Sequence, residues 1–182
     1  LERESNIDPL TKAHNRRVLV KDLEEVLSFG KEKAIDMHLV MFDADDFKKI
    51  NDSFGHIAGD KTLIFLSKLI QNSLRRGTRI YRYGGEEFTI LFHSTKQEEC
   101  VLALEEIREK IFARGFAIRD KSRPEKAPKK GEKQTSIKKE RLSVSIGFAI
   151  SRKNKTPHEI VKLADEALYK AKESGRNCLI SH

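Results

Sequence analysis

Two groups of side chains in this sequence have the types and spacing to do chemistry together. Phe42-Asp43-Ala44-Asp45-Asp46-Phe47-Lys48 places an acidic triplet at the end of an apolar run. Carboxylates are costly to bury unless they are paired or hold a metal. Arg82-Tyr83-Gly84-Gly85-Glu86-Glu87-Phe88 sets two glutamates beside paired glycines. A tight glycine turn lets a ligand approach the backbone, here around Gly85. An aspartate helix cap or a charged hairpin tip accounts for either group alone, though not for both glycines. If the run ending in Asp43 lies beside the hairpin, Asp43 comes close to Glu86 and Glu87. Hard oxygen donors of this kind suit Mg²⁺, which also keeps phosphate oxygens in its shell. Two Mg²⁺ would lower the pKa of an attacking hydroxyl and neutralise a leaving pyrophosphate. The pattern is that of a phosphoryl-transfer site.

The elements that must position these groups follow from periodicity. Val18, Leu19, Leu23, Val26 and Leu27 share one face of a helix over 15–29. The apolar run 38–43 reads as a buried strand, followed by a short helix over 47–54 and a turn over 55–60. A second amphipathic helix covers 61–74, with Leu63, Leu66, Leu69, Ile70 and Leu74 on one side. Strands over 79–83 and 88–93 flank the glycine pair as a hairpin. A helix over 98–112, a strand over 142–150, a final helix and a short strand over 177–180 complete the order. Thr156, Pro157 and Glu159 predict a capping box with proline at the first helical position. Ser174-Gly175 ends that helix. This order predicts an α+β fold: a mainly antiparallel central sheet flanked by helices, in the ferredoxin-like or palm style.

Composition bounds the class. A chain of 182 residues with 38% hydrophobic and 35% charged residues suits one soluble domain with a proper core. No apolar run approaches the roughly 20 residues of a membrane span. The start, Leu1-Glu2-Arg3-Glu4, reads as the end of a helix entering from elsewhere, so a domain excised from a longer sensor protein is expected. Cys100 and Cys178 lack metal-ligand spacing and read as reduced core thiols of a cytoplasmic protein. The net charge is +8, but residues 119–141 alone hold ten Lys/Arg against four Asp/Glu. That stretch, with Pro124, Pro128 and Gly131, reads as a flexible solvated loop. It has no interleaved aromatics for base stacking, so nucleic acid is not expected as a partner; lacking an apolar span, the domain itself is not expected to contact a membrane.

The motifs resemble the GGDEF family of diguanylate cyclases over nearly the whole chain. Gly84-Gly85-Glu86-Glu87-Phe88 is similar to the naming motif, with Glu at its acidic third position. Asp8-Pro9-Leu10-Thr11 with Asn15-Arg16-Arg17 resembles the opening motif, and 42–52 the first-strand motif. Gly55-His56 with Gly59-Asp60, Ser143-Val144-Ser145-Ile146-Gly147, and Asp165 to Lys172 with Gly175-Arg176-Asn177 follow in the family's order.

The resemblance implies a homodimeric enzyme, cytoplasmic in its catalytic part, that condenses two GTP into cyclic di-GMP with two Mg²⁺ per site, Mn²⁺ being an alternative. The metal ligands would be Asp43, the Ala44 carbonyl, Glu86 and Glu87, with Glu86 as general base. Asn51 and Asp60 would read guanine, since an ionised aspartate is acceptor-only and guanine offers N–H donors. Lys172 and Arg176, four apart on one helix face, would hold the β- and γ-phosphates, Arg176 bidentately. Backbone amides at Phe47 and Lys48 would assist at a helix start, and His56 would lie nearby. Asn15-Arg16-Arg17 would tie the entering helix to the domain. Three departures stand out: Lys12-Ala13 in the opening motif, the long basic stretch, and Arg75-Arg76-Gly77-Thr78 where the family's inhibitory site has Arg and Asp three apart. A non-catalytic nucleotide-binding module of the same fold is the alternative. The full set Asp43, Glu86, Glu87, Lys172 and Arg176 argues against it.

Overall fold

The computed structural model describes residues 5–93, 95–118, 138–151 and 155–182. Its elements run β1 (His14–Asn15), α1 (Arg16–Lys33), β2 (Met37–Ala44), α2 (Phe47–Phe54), α3 (His56–Ser73), β3 (Ile80–Gly84), β4 (Glu87–His93), α4 (Gln97–Arg114), β5 (Phe116–Ile118), β6 (Lys138–Glu140), β7 (Val144–Ser151), α5 (Pro157–Glu173) and β8 (Leu179–Ser181). Six strands form one sheet in the order β1-β3-β4-β2-β7-β8. The four inner strands run antiparallel to one another, while β1 pairs with β3 and β8 with β7 in parallel. The sheet is therefore mixed rather than mainly antiparallel. The two parallel edges come from strands of two and three residues, too short to leave a period in the sequence.

β2 sits at the centre and is buried along its whole length. Its pleat sends alternate side chains to opposite faces. Val40, Phe42 and Ala44 join one core with Leu63, Leu66 and Ile70 of α3 and Leu104, Ile107 and Ile111 of α4. Met37, Leu39 and Met41 join the other with Leu19 and Leu23 of α1 and Ile160, Ala164 and Leu168 of α5. By the same parity Asp43 faces the α5 side. α5 comes close because Gly147 on β7 has no side chain. A Cβ there would overlap the Ala164 carbonyl and the Leu168 backbone nitrogen.

The helix signals behave as their chemistry requires. Thr156 caps α5 through its side chain, Glu159 returns the bond, and Pro157 opens the helix. Three expectations need correction. Residues 56–60 are the first turn of α3 rather than a loop. Gly55 alone, at φ 83°, separates α2 from α3. Residues 138–140 form β6, which pairs with β5, so the basic stretch is not all loop; its part over 119–137 lies outside the described residues. Cys100 is buried and Cys178 half-buried, both free thiols, so only Cys100 belongs to the core. No helix among the described residues is long and apolar enough to cross a membrane.

Candidate active site

The site forms where the end of β2 meets the β3–β4 hairpin and the end of α5. Asp43, 5% exposed, lies directly opposite Glu87 of β4 and Ser145 of β7 in the two ladders. The Ala44 N–H donates to the Glu86 carbonyl at 3.4 Å, which brings the hairpin turn against β2. From the last turn of α5, Lys172 Nζ reaches Asp43 Oδ2 at 2.8 Å.

Electrostatics concentrate here. Burial raises the pKa of Asp43. The Lys172 ammonium opposes that, and the charges of Glu86 and Asp45 add to it. Burial likewise raises the pKa of Glu87, reinforced by Asp43 and only partly countered by Lys172. Carboxylates crowded in a half-buried notch, with the Lys172 ammonium as close counterion, present hard oxygen donors with excess negative charge. That fits a divalent cation. Among the described residues, no group of three His, Cys, Asp or Glu side chains stands as a ready metal cage; the Lys172 ammonium lies against Asp43 instead.

The glycines of the hairpin answer no internal demand. Neither Gly84 nor Gly85 has a positive φ. A Cβ on Gly85 would meet nothing within 4 Å, and one on Gly84 only the Glu87 carboxylate at 3.4 Å. Arg82 fixes the turn beneath: its Nε and one terminal nitrogen donate to the Gly85 carbonyl at 3.1 and 2.8 Å. Its other terminal nitrogen donates to both Asp8 oxygens at 3.1 Å. Asp8 in turn accepts from the Thr11 N–H and hydroxyl at 2.8 and 2.7 Å. These bonds, with the charge of Arg82, hold the Asp8 carboxyl below its ordinary pKa despite burial. The opening motif thus supports the hairpin from below. Sequence reasoning assigned it no such part, because Asp8 and Arg82 lie 74 residues apart.

Asn15 caps α1 by accepting from the Val18 N–H, and the Arg16 guanidinium lies 4.4 Å from the centre of the Tyr83 ring. Asn15 Nδ2 and one Arg17 nitrogen also donate to the Ser5 carbonyl at 2.8 and 3.2 Å; the entering helix that this block was expected to tie down, residues 1–4, lies outside the described residues.

On the α2 side, Asn51 packs against Gly59, where any Cβ would collide with the carboxamide. Asp60 and His56 are exposed on the first turn of α3, and Lys48 is exposed on α2. Phe47 is half-buried against the core. Asp46 precedes α2 with φ 53° and gives it no side-chain cap. Its carboxylate lies 3.6 Å from Arg176 Nε instead.

Arg176 is not on the helix face shared with Lys172. α5 ends at Glu173, and Gly175 at φ 104° turns the chain. The Arg176 N–H then donates to the Ala171 carbonyl at 3.1 Å, closing the Schellman turn. Arg176 and Asn177 both follow in the left-handed region, at φ 65° and 45°. Such a backbone costs about 1–2 kcal/mol per residue and persists only where its surroundings impose it. The turn swings Arg176 over the start of α2, the side from which the helix amides point outward. Arg75 pairs with Glu99 of α4 at 3.4 Å, and the Thr78 N–H donates to the Arg75 carbonyl at 3.1 Å.

A family model described as "Diguanylate cyclase, GGDEF domain" matches residues 5–178. The diguanylate cyclase DgcP of Pseudomonas aeruginosa is 35% identical over 172 residues, 94% of this chain and 23% of that protein. DosC of Escherichia coli is 33% identical over 174 residues, 96% of this chain and 34% of that protein. The chain thus spans about a quarter to a third of the length of these curated relatives. Among solved structures, the GGDEF domain of DgcB from Caulobacter crescentus in complex with c-di-GMP superposes with a TM-score of 0.85 at 28% identity, covering 100% of this chain and 95% of that one. The active GGEEF domain of a diguanylate cyclase from Vibrio cholerae superposes at 0.76 and 30% identity, covering 92% and 96%.

Proposed function

This chain belongs to the GGDEF family, and from that premise we propose that it is a diguanylate cyclase that joins two GTP into cyclic di-GMP and two pyrophosphates across a homodimer. The observation that carries the reading is the notch itself: Asp43 buried at the end of β2, opposite Glu87, with Glu86 at the adjoining turn and Lys172 at 2.8 Å. Family membership implies dependence on a divalent metal. Two Mg²⁺ per site, or Mn²⁺ instead, would be held by Asp43, the Ala44 carbonyl, Glu86 and Glu87, and would polarise the α-phosphate and neutralise leaving charge.

The chain's own residues account for the rest. Asn51 and Asp60 receive the guanine edge, Asp60 by accepting from N–H donors. The amides of Phe47 and Lys48 and the side chains of Lys172 and Arg176 receive the β- and γ-phosphates. The open backbone at Gly85 leaves room for the nucleotide, and His56 borders the base. Glu86 takes the proton from the 3′-hydroxyl as its oxygen bonds to the α-phosphorus of the partner's GTP. The bond from that phosphorus to pyrophosphate breaks. The same step in the opposite direction closes the ring, so one subunit holds half a site. The family's inhibitory site is degenerate here, with Arg75 engaged by Glu99 and Thr78 in place of a carboxylate.

The test is incubation with GTP and Mg²⁺, with product identified by mass. Cyclic di-GMP from the unmodified chain, and its loss in folded Glu86→Gln and Asp43→Asn, is the expected result. Near-normal product from either variant would show the site to be misplaced.

A further inference from the structure

The acidic triplet contains one buried member with no part in the chemistry above. Asp45 is 6% exposed, and its carboxylate is taken up by donors outside the hairpin. Its Oδ2 accepts from the Ser143 hydroxyl at 2.7 Å and the Asn177 N–H at 3.0 Å, and its Oδ1 from the Ser145 hydroxyl at 2.6 Å. Its own N–H donates to the Ser143 carbonyl at 3.0 Å. A carboxylate has about four acceptor sites, so three internal donors leave little for a ligand.

These bonds join three separate elements: the end of β2, the entry to β7 and the turn after α5. That turn contains the two consecutive left-handed residues, Arg176 and Asn177. Local preference opposes this conformation, so outside bonds must fix it. The Asn177 N–H on Asp45 is one. A second comes from α4, where one Arg108 nitrogen donates to the Asn177 side-chain oxygen at 3.1 Å. Asp45 also precedes Asp46, whose carboxylate lies 3.6 Å from Arg176. One residue therefore sets both the strand end that leads into α2 and the turn that hangs Arg176 above it.

We infer that Asp45 is a positioning residue for triphosphate recognition: its carboxylate clamps the 175–177 turn so that Arg176 stands over the N-terminus of α2. The inference rests on the reading of Arg176 as a phosphate ligand. Asp45 touches neither metal nor nucleotide and acts only through the turn. A neutral amide at this position keeps one acceptor oxygen but presents an NH₂ group where a carboxylate oxygen had accepted. The clamp loosens while β2, the hairpin and the guanine side stay in place.

The experiment compares two ligands by calorimetry on the intact chain with Mg²⁺. One is a GTP analogue with a methylene between the α- and β-phosphates, which cannot turn over. The other is GMP, which lacks the phosphates Arg176 would hold. Asp45→Asn should weaken the analogue about tenfold and leave GMP unchanged. Ser145→Ala, a milder loosening of the same carboxylate, should show the same pattern at about threefold, and stands in if Asp45→Asn does not fold. In an Arg176→Ala background neither change should weaken the analogue further, since their effects pass through that residue. Equal weakening of GMP and analogue would make Asp45 a support of the fold only and overturn the inference. So would additive losses in the Arg176→Ala background, or unchanged analogue affinity in a folded variant. If Arg176→Ala alone leaves analogue binding intact, the phosphate reading of Arg176 fails, and the inference with it.

Discussion

Lys172 and Asp43 form an ion pair whose two ends sit in different surroundings: the aspartate side chain is 7% exposed and the lysine 36%. Burial outweighs the lysine, so the Asp43 pKa is still raised. The two truncations should therefore differ in cost. Lys172→Met strands a buried charge and should destabilise the fold by about 1–3 kcal/mol. Asp43→Asn leaves a lysine that water can reach, removes the buried charge, and should be near neutral or stabilising. Urea unfolding of both variants checks this. A larger loss for Asp43→Asn would show that Lys172 depends on the pair more than Asp43 does.

Arg82 spans the Gly85 carbonyl and Asp8 with one planar fork. Lysine keeps the charge but cannot reach both partners at once. Arg82→Lys should lower turnover about tenfold, equivalent to about 1.4 kcal/mol of transition-state stabilisation. Affinity for the triphosphate analogue should change little, because the residues proposed to receive the β- and γ-phosphates lie on α2, α5 and the turn after it. Steady-state rates with calorimetry decide between this and a turn that holds its shape unaided.

Asp60 is exposed on α3, with Asn51 packed against Gly59 one residue before it. Adenine lacks the N–H donors of the guanine edge, so it leaves Asp60 unpaired at a cost of about 1–3 kcal/mol. Competition between GTP and ATP should favour GTP by roughly tenfold or more, and Asp60→Ala should narrow the ratio. A ratio unmoved by that substitution would remove Asp60 from base recognition.

His38 is buried in the sheet, stacked on Phe148 at 5.3 Å, with Cys100 Sγ 3.7 Å from its Nδ1. Burial lowers its pKa, while Asp36 and Glu98 pull the other way. The unfolded chain then binds a proton that the folded chain resists. Stability should be full above pH of about 6.5 and fall as the pH drops below it, by at most about 1.4 kcal/mol per pH unit for this group. His14, shifted the same way, adds to the slope. His38→Phe should flatten the dependence between pH 5 and 7 in denaturant titrations. An unchanged slope would assign it elsewhere.

The parts of the site set by strand period were legible in the sequence. The run into Asp43 and the paired glycines specified a buried strand beside a hairpin, and the ladder places Asp43 opposite Glu87. Arg176 was misread. Spacing of four suggests a helix face, but Gly175 stops the helix and the turn beyond it depends on Asp45, 132 residues away from Asn177. The bridge from Arg82 to Asp8 has no sequence signal for the same reason. Bonds between distant side chains leave no local pattern. β1, β5 and β6 have only two or three residues each, fewer than a period needs to show itself, whereas the closing strand expected over 177–180 is present as β8.

The bare backbone of Gly147 has a use for the experimenter. Alanine there would push against Ala164 and Leu168 and shift α5 outward like a door on its hinge. Lys172, one turn beyond Leu168, rides on the door's free edge. Gly147→Ala therefore offers a way to switch the notch off without altering any group that meets the nucleotide. A valine at the same place would probe how far the door can open before the latch between Lys172 and Asp43 gives way.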